Sequence, residues 1–174
     1  MKKESLVMTL IGKDRPGLVA SLSAIIDRHG GNWEESRMVE LEGEFAGLLH
    51  VGVAADRAGE LERALGEIEG MTVTVARAPA AEPSPEDTHL MTVEVIGQDH
   101  PGIVHHLSEA IAARGINIEE LTSELKSAPM AGGTMFQATA RLRAPKSVRL
   151  EDLQQDLEAI ADDLMVDIDL EKPD

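Results

Sequence analysis

Residues 6–35 and residues 91–120 are one sequence written twice. GKDRPGLV at 12–19 returns as GQDHPGIV at 97–104, and the shift of 85 residues holds without a gap over 30 pairs, of which 13 are identical. About two identities would arise from ordinary residue frequencies. A duplication of this kind limits what the chain can fold into. Two copies are too few for a solenoid, which needs at least three to bury a continuous core, so each copy must be a small domain. The repeat predicts two modules, 1–78 and 89–174. They are joined by a linker over 79–88 that contains three prolines and three acidic residues, a composition suited to an extended, solvated segment. Domains of about 80 residues bury only about 60–65% of their unfolded surface. Each module is therefore expected to lean on another, in the same chain or in a homo-oligomer.

Within each copy the hydrophobic period alternates between strand and helix. Leu6–Ile11 is a short apolar run ending at Gly12. Leu18, Val19, Leu22, Ile25 and Ile26 then follow at helical spacing until Gly30-Gly31, a helix stop. In this reading Asp14 caps the helix and Pro16 sits in its first turn. Asn32–Glu42 and Phe45–Val53 read as a hairpin turning at Gly43-Glu44, Leu61–Ile68 as a second helix, and Met71–Ala76 as a last strand. The second copy repeats this order, with helices over Pro101–Arg114 and from Leu150 to Leu164. An insertion at Ser127–Gly133 raises the offset to 91, so that Phe136 stands where Phe45 does. The predicted fold class is α+β: two ferredoxin-like βαββαβ modules, each an antiparallel four-stranded sheet with both helices on one face. The other sheet face must be polar or covered. Trp33, matched by Ile118, is expected to be a packing residue.

Composition removes several function classes. The net charge is −16, and a polyanion does not bind nucleic acid or anionic lipid through its general field. RNA-binding modules of the same βαββαβ order stack bases on sheet aromatics, whereas this chain has two Phe, one Trp and no Tyr. The absence of cysteine excludes disulfides, thiolate catalysis and Cys-ligated zinc. No serine sits in a G-x-S-x-G elbow. His105 and His106 are neighbours on a helix and so point about 100° apart, which argues against joint metal ligation. Glu34-Glu35, repeated as Glu119-Glu120, reads as a solvated sheet edge rather than an acid–base pair. No catalytic residue, metal site or cofactor is expected. No stretch approaches the ~20 apolar residues of a membrane span, and the expected location is the cytoplasm.

The remaining constellation is the repeated D-x-P-G with an asparagine fifteen residues beyond its glycine. It comprises Asp14, Pro16, Gly17 and Asn32 in the first copy, and Asp99, Pro101, Gly102 and Asn117 in the second. The helix start and the second strand's start are expected to lie side by side, and the set then suits a free amino acid. Unpaired helix N–H groups would take the carboxylate, glycine would allow close approach, the aspartate would take the ammonium group, and the asparagine amide would donate and accept. The same residues read equally well as an N-cap, a first-turn proline, a packing glycine and a turn asparagine. Duplication copies caps as readily as sites.

On these motifs the chain resembles the ACT domain family, small amino-acid-binding regulatory modules of βαββαβ order. The resemblance covers Leu6–Ala76 and Leu90–Leu170. Two such modules joined by an acidic linker are similar to the glycine cleavage system repressors, a stand-alone subgroup. The resemblance implies a regulator that senses a small amino acid, glycine or a close relative, and contacts a DNA-binding activator rather than DNA. It also implies that the ligand site lies where two modules pair, built from the D-x-P-G loop and the start of the second strand. Serine-binding members often carry asparagine where Asp14 and Asp99 stand, and an aspartate there repels a ligand carboxylate. The alternative is a detached regulatory subunit of an amino-acid or folate enzyme.

Overall fold

The computed structural model describes residues 2–78, 87–127 and 132–171. Of the expected linker, only Asp87 and Thr88 are among them, and residues 128–131 of the expected insertion lie outside. The chain divides into two compact units, Met1–Glu82 and Pro83–Asp174.

The first unit runs β1 (Lys3–Lys13), α1 (Leu18–Arg28), β2 (Asn32–Leu41), β3 (Glu44–Ala54), α2 (Ala58–Gly66) and β4 (Met71–Ala78). Its strands lie in the order β2-β3-β1-β4, all antiparallel. Strand alternation sends Leu6, Met8 and Leu10 of β1 and Leu49, Val51 and Val53 of β3 to one face, where they are buried. Leu18, Leu22 and Ile26 of α1 and Leu61 and Leu65 of α2 cover that face. Burying a side chain of this size stabilises by about 1.5–3 kcal/mol. Trp33 is partly buried against this core, and its indole N–H donates to Ser36 Oγ at 3.3 Å.

The second unit repeats the order: β5 (Thr88–Gln98), α3 (Ile103–Ala113), β6 (Asn117–Ser127), β7 (Thr134–Pro145), α4 (Leu150–Leu164) and β8 (Val166–Glu171). Its sheet order, β6-β7-β5-β8, is the same. Gly12 pairs with Phe45 and Gly97 with Phe136, so the 91-residue offset drawn through the two phenylalanines matches the strand register. Ile118 packs on the second core as Trp33 does on the first.

The β2–β3 turn falls one residue earlier than expected, at Glu42-Gly43. Both residues have positive φ, 52° and 81°, as a two-residue type I′ turn requires. The two outer sheet faces differ. In the first unit Ile11, Val39 and Leu48 are half or more exposed. In the second the corresponding face carries Arg141 and Arg143, paired with Glu119 and Glu120.

Candidate functional site

The D-x-P-G loop joins β1 to α1, and its residues divide into two groups. One group braces the loop. Gly12 closes β1 opposite Met71; a Cβ there would fall well inside 3.0 Å of the Gly70 carbonyl oxygen. Gly97 is its twin, where a Cβ would lie 2.6 Å from Met165 O and 2.7 Å from Val166 Cα. The motif's second residue reaches the same connection: Arg15 Nη2 donates to Glu69 O at 3.0 Å, and His100 Nε2 donates to Leu164 O at 2.6 Å.

The other group faces solvent. Asp14 and Asp99 are exposed, and neither carboxylate makes a hydrogen bond among the described residues. Their backbone amides are engaged, donating to Gly43 O and Thr134 O at 2.9 Å each. Neither aspartate is an N-cap. The cap residues are Gly17 (φ 87°, ψ 3°) and Gly102 (φ 102°, ψ −11°), with no side-chain cap bond. Those angles belong to the second corner of a type II turn, whose first corner favours proline. Pro16 and Pro101 therefore stand before α1 and α3 rather than in their first turns, because a residue at positive φ cannot continue a right-handed helix. Gly17 is not a packing glycine either: a Cβ would meet nothing within 4 Å. The first turns of α1 and α3 hold no acidic residue, whereas α2 has Glu60 and α4 has Glu151 and Asp152. The first and third helices thus present N–H groups that nothing in the loop neutralises.

The asparagines are not beside these loops. Asn32 pairs with Gly52, and Gly52 with Ser5. Lys13, at the loop end of β1, is eight residues further on, about 26 Å along the strand. Asn117 pairs with Arg143, which pairs with Leu90, again eight residues from Gln98. The expectation that the two ends lie side by side is overturned. α1 carries the chain the length of the sheet before β2 begins. The neighbour of the D-x-P-G loop is instead the β2–β3 turn. Asn32 contacts its own strand, Nδ2 donating to Glu34 Oε1 at 3.4 Å.

A further set was not legible in sequence. Ser5 Oγ and His50 Nε2 are 2.5 Å apart, and His50 Nδ1 lies 3.5 Å from Glu34 Oε2. This is the order of a Ser–His–acid relay. It lacks an oxyanion hole, because Ser5 is held between Gly52 and Ala78 in the ladder, where backbone amides are spent on strand pairing. Leu90 and Arg141 occupy the matching positions of the second unit, so the relay is not duplicated. Glu34 and Glu119 both sit at a register shift in their strand. That bulge turns each glutamate toward its His or Arg partner.

His100 distinguishes the two loops. Its Nδ1 also donates, to Pro101 O at 3.0 Å. Carbonyl oxygens only accept, so both contacts are hydrogen bonds when each ring nitrogen carries a proton. The Leu164 carbonyl, and then that of Pro101, raise the His100 imidazolium above the ordinary histidine value. A raised folded-state pKa means that the stabilisation is complete below the unfolded value, about 6.5. It is lost as pH rises through the folded value. Melting temperature measured against pH for the wild type and His100→Gln should therefore show a gap that is widest in mild acid and closes above neutrality. A gap constant from pH 5.5 to 8 would mean that the neutral ring makes the same contacts.

Residues 4–75 match the family profile described as the ACT domain. The chain is 25% identical over 162 residues to the glycine cleavage system transcriptional repressor of Escherichia coli (strain K12), an alignment covering 91% of this chain and 85% of that protein. A crystal structure of an unknown protein from Galdieria sulphuraria is 32% identical, covers 99% of this chain and 100% of its own, and superposes with a TM-score of 0.89. A crystal structure of a candidate glycine cleavage system transcriptional repressor shares the fold over 99% of this chain and 100% of its own, at 20% identity and a TM-score of 0.67.

Proposed function

We propose that this chain, whose residues 4–75 match the ACT domain profile and whose second unit repeats the same sheet order, is a tandem ACT-domain protein and a non-enzymatic regulator whose D-x-P-G loops bind a small amino acid. Its family and its likeness to a repressor support a regulatory role. The observation that carries the ligand reading is the pair of exposed carboxylates, Asp14 and Asp99, neither of which makes a hydrogen bond among the described residues. Each stands beside a helix N-terminus that has neither a side-chain cap nor an acid in its first turn. A zwitterion matches that pairing of charges. Its carboxylate takes the helix N–H groups and its ammonium group takes the aspartate. Pro16 and Pro101 hold the turn, and Gly17 and Gly102 leave the backbone bare.

Asn32 and Asn117 cannot reach a ligand held at their own module's loop. Where they take part, the asparagine comes from another copy of the chain, and the site is complete only across that pair. Glycine or a close relative is the ligand class. The occupied state is passed to a protein partner, a DNA-binding activator of glycine cleavage genes.

A thermal-shift panel of the common amino acids tests this reading. A ligand at 100 times its Kd stabilises by about 2.7 kcal/mol, a shift of several degrees for a chain of this size. If no amino acid at millimolar concentration moves the melting temperature, the sensor reading fails.

A further inference from the structure

We propose that His105, His106 and Glu109, on the outer side of α3, form a binding site for a borderline divalent cation such as Zn2+. The sequence argument against joint ligation rests on the two rings leaving the helix about 100° apart. Glu109 removes that objection, because it stands four residues from one histidine and three from the other, and both spacings share a helix face. His105 Nε2 lies 3.4 Å from Glu109 Oε2, and His106 Nδ1 lies 3.9 Å from the same oxygen. One ligand atom from each of the three falls within 4.8 Å of the others.

A tetrahedral zinc ion with bonds of 2.0–2.1 Å separates its ligand atoms by about 3.3–3.4 Å. His105 already stands at that separation from Glu109, His106 must close on it by about half an ångström, and the two ring nitrogens, within 4.8 Å of one another, by at most about 1.5 Å. Two imidazoles and one carboxylate suit zinc, nickel, cobalt or copper; the all-oxygen preferences of magnesium and calcium do not fit. His106 and Glu109 also line a groove of about 510 Å³ between α3 and α4, shared with Asp163 across it. Ala20, Ser21 and Ala24 hold the matching positions of the first unit, so only the second module carries the set. The site adjoins the second D-x-P-G loop: a Cβ on Gly102 would touch the His106 ring at 3.5 Å.

The test is calorimetric titration of the untagged full chain with ZnCl2 and with NiCl2, paired with NMR line broadening by Ni2+. One saturable equivalent is expected, with broadening centred on residues 103–110. His106→Ala and Glu109→Gln should each weaken it by at least about tenfold, and the double variant His105→Ala/His106→Ala should abolish it. His29→Ala, at the C-terminal end of α1 in the first unit, should leave it unchanged. All three ligands are exposed, so circular dichroism should show intact variants. Absence of one-to-one uptake would overturn the proposal, as would unchanged affinity in the double variant or broadening centred elsewhere.

Discussion

Gly12→Val is expected to destabilise the first module by at least about 3 kcal/mol, the upper end of the usual cost of overpacking. A Cβ at this position would collide with the Gly70 carbonyl and lie 3.1 Å from Met71 Cα. Every nearby atom is backbone, so no side chain can move aside. The β1–β4 ladder must part at its end, and Arg15 would lose its hold on Glu69. A module of about 80 residues has a total stability of about 4–12 kcal/mol, so the loss is a large share of it. Trp33 is the sole tryptophan and packs on this core, so its emission during urea unfolding reads the first module directly. An unshifted midpoint would show that the strand end yields easily. Gly97→Val is the corresponding change in the second module, read by circular dichroism.

Gly17→Val and Gly17→Asn are expected to separate fold from ligand response. The position has open space but φ of 87°. A β-branched residue there costs about 1–3 kcal/mol in backbone strain, whereas asparagine tolerates the left-handed region. The valine variant should therefore melt several degrees lower and the asparagine variant close to wild type. Both place a side chain where the ligand would approach bare backbone, so both should lose stabilisation by the amino acid. An asparagine variant that melts normally and retains the full response would remove the first loop from the site. Gly102→Asn asks the same of the second loop, where His106 stands 3.5 Å from the added Cβ.

Most of the architecture was present in the local sequence. The alternation of Leu6, Met8 and Leu10, the helical spacing of Leu18, Leu22 and Ile26, and the Gly30-Gly31 stop are interactions within a few residues. They read correctly because short-range sterics and burial decide them. Duplication doubled the signal and identified the hairpin insertion through Phe45 and Phe136. The Pro-Gly pairs also carried their turn, although a helix-start reading competes with it until φ is known.

Only the tertiary structure decided what the motif residues do, because strand register and chain path set their neighbours. Gly12 and Gly97 gain their role from the last strand, which meets β1 and β5 across gaps of 59 and 69 residues, from Gly12 to Met71 and from Gly97 to Val166. Arg15 and His100 gain theirs from the same connection. Asp14 and Asp99 lost the capping role that sequence spacing offered them, and became exposed carboxylates. Asn32 and Asn117 moved to the far end of their modules, since a helix between strands returns the chain to the level where it began. The Ser5–His50–Glu34 relay and the His105–His106–Glu109 cluster follow the same logic. In each, side-chain reach and a shared face bring together atoms whose order along the chain shows no such meeting.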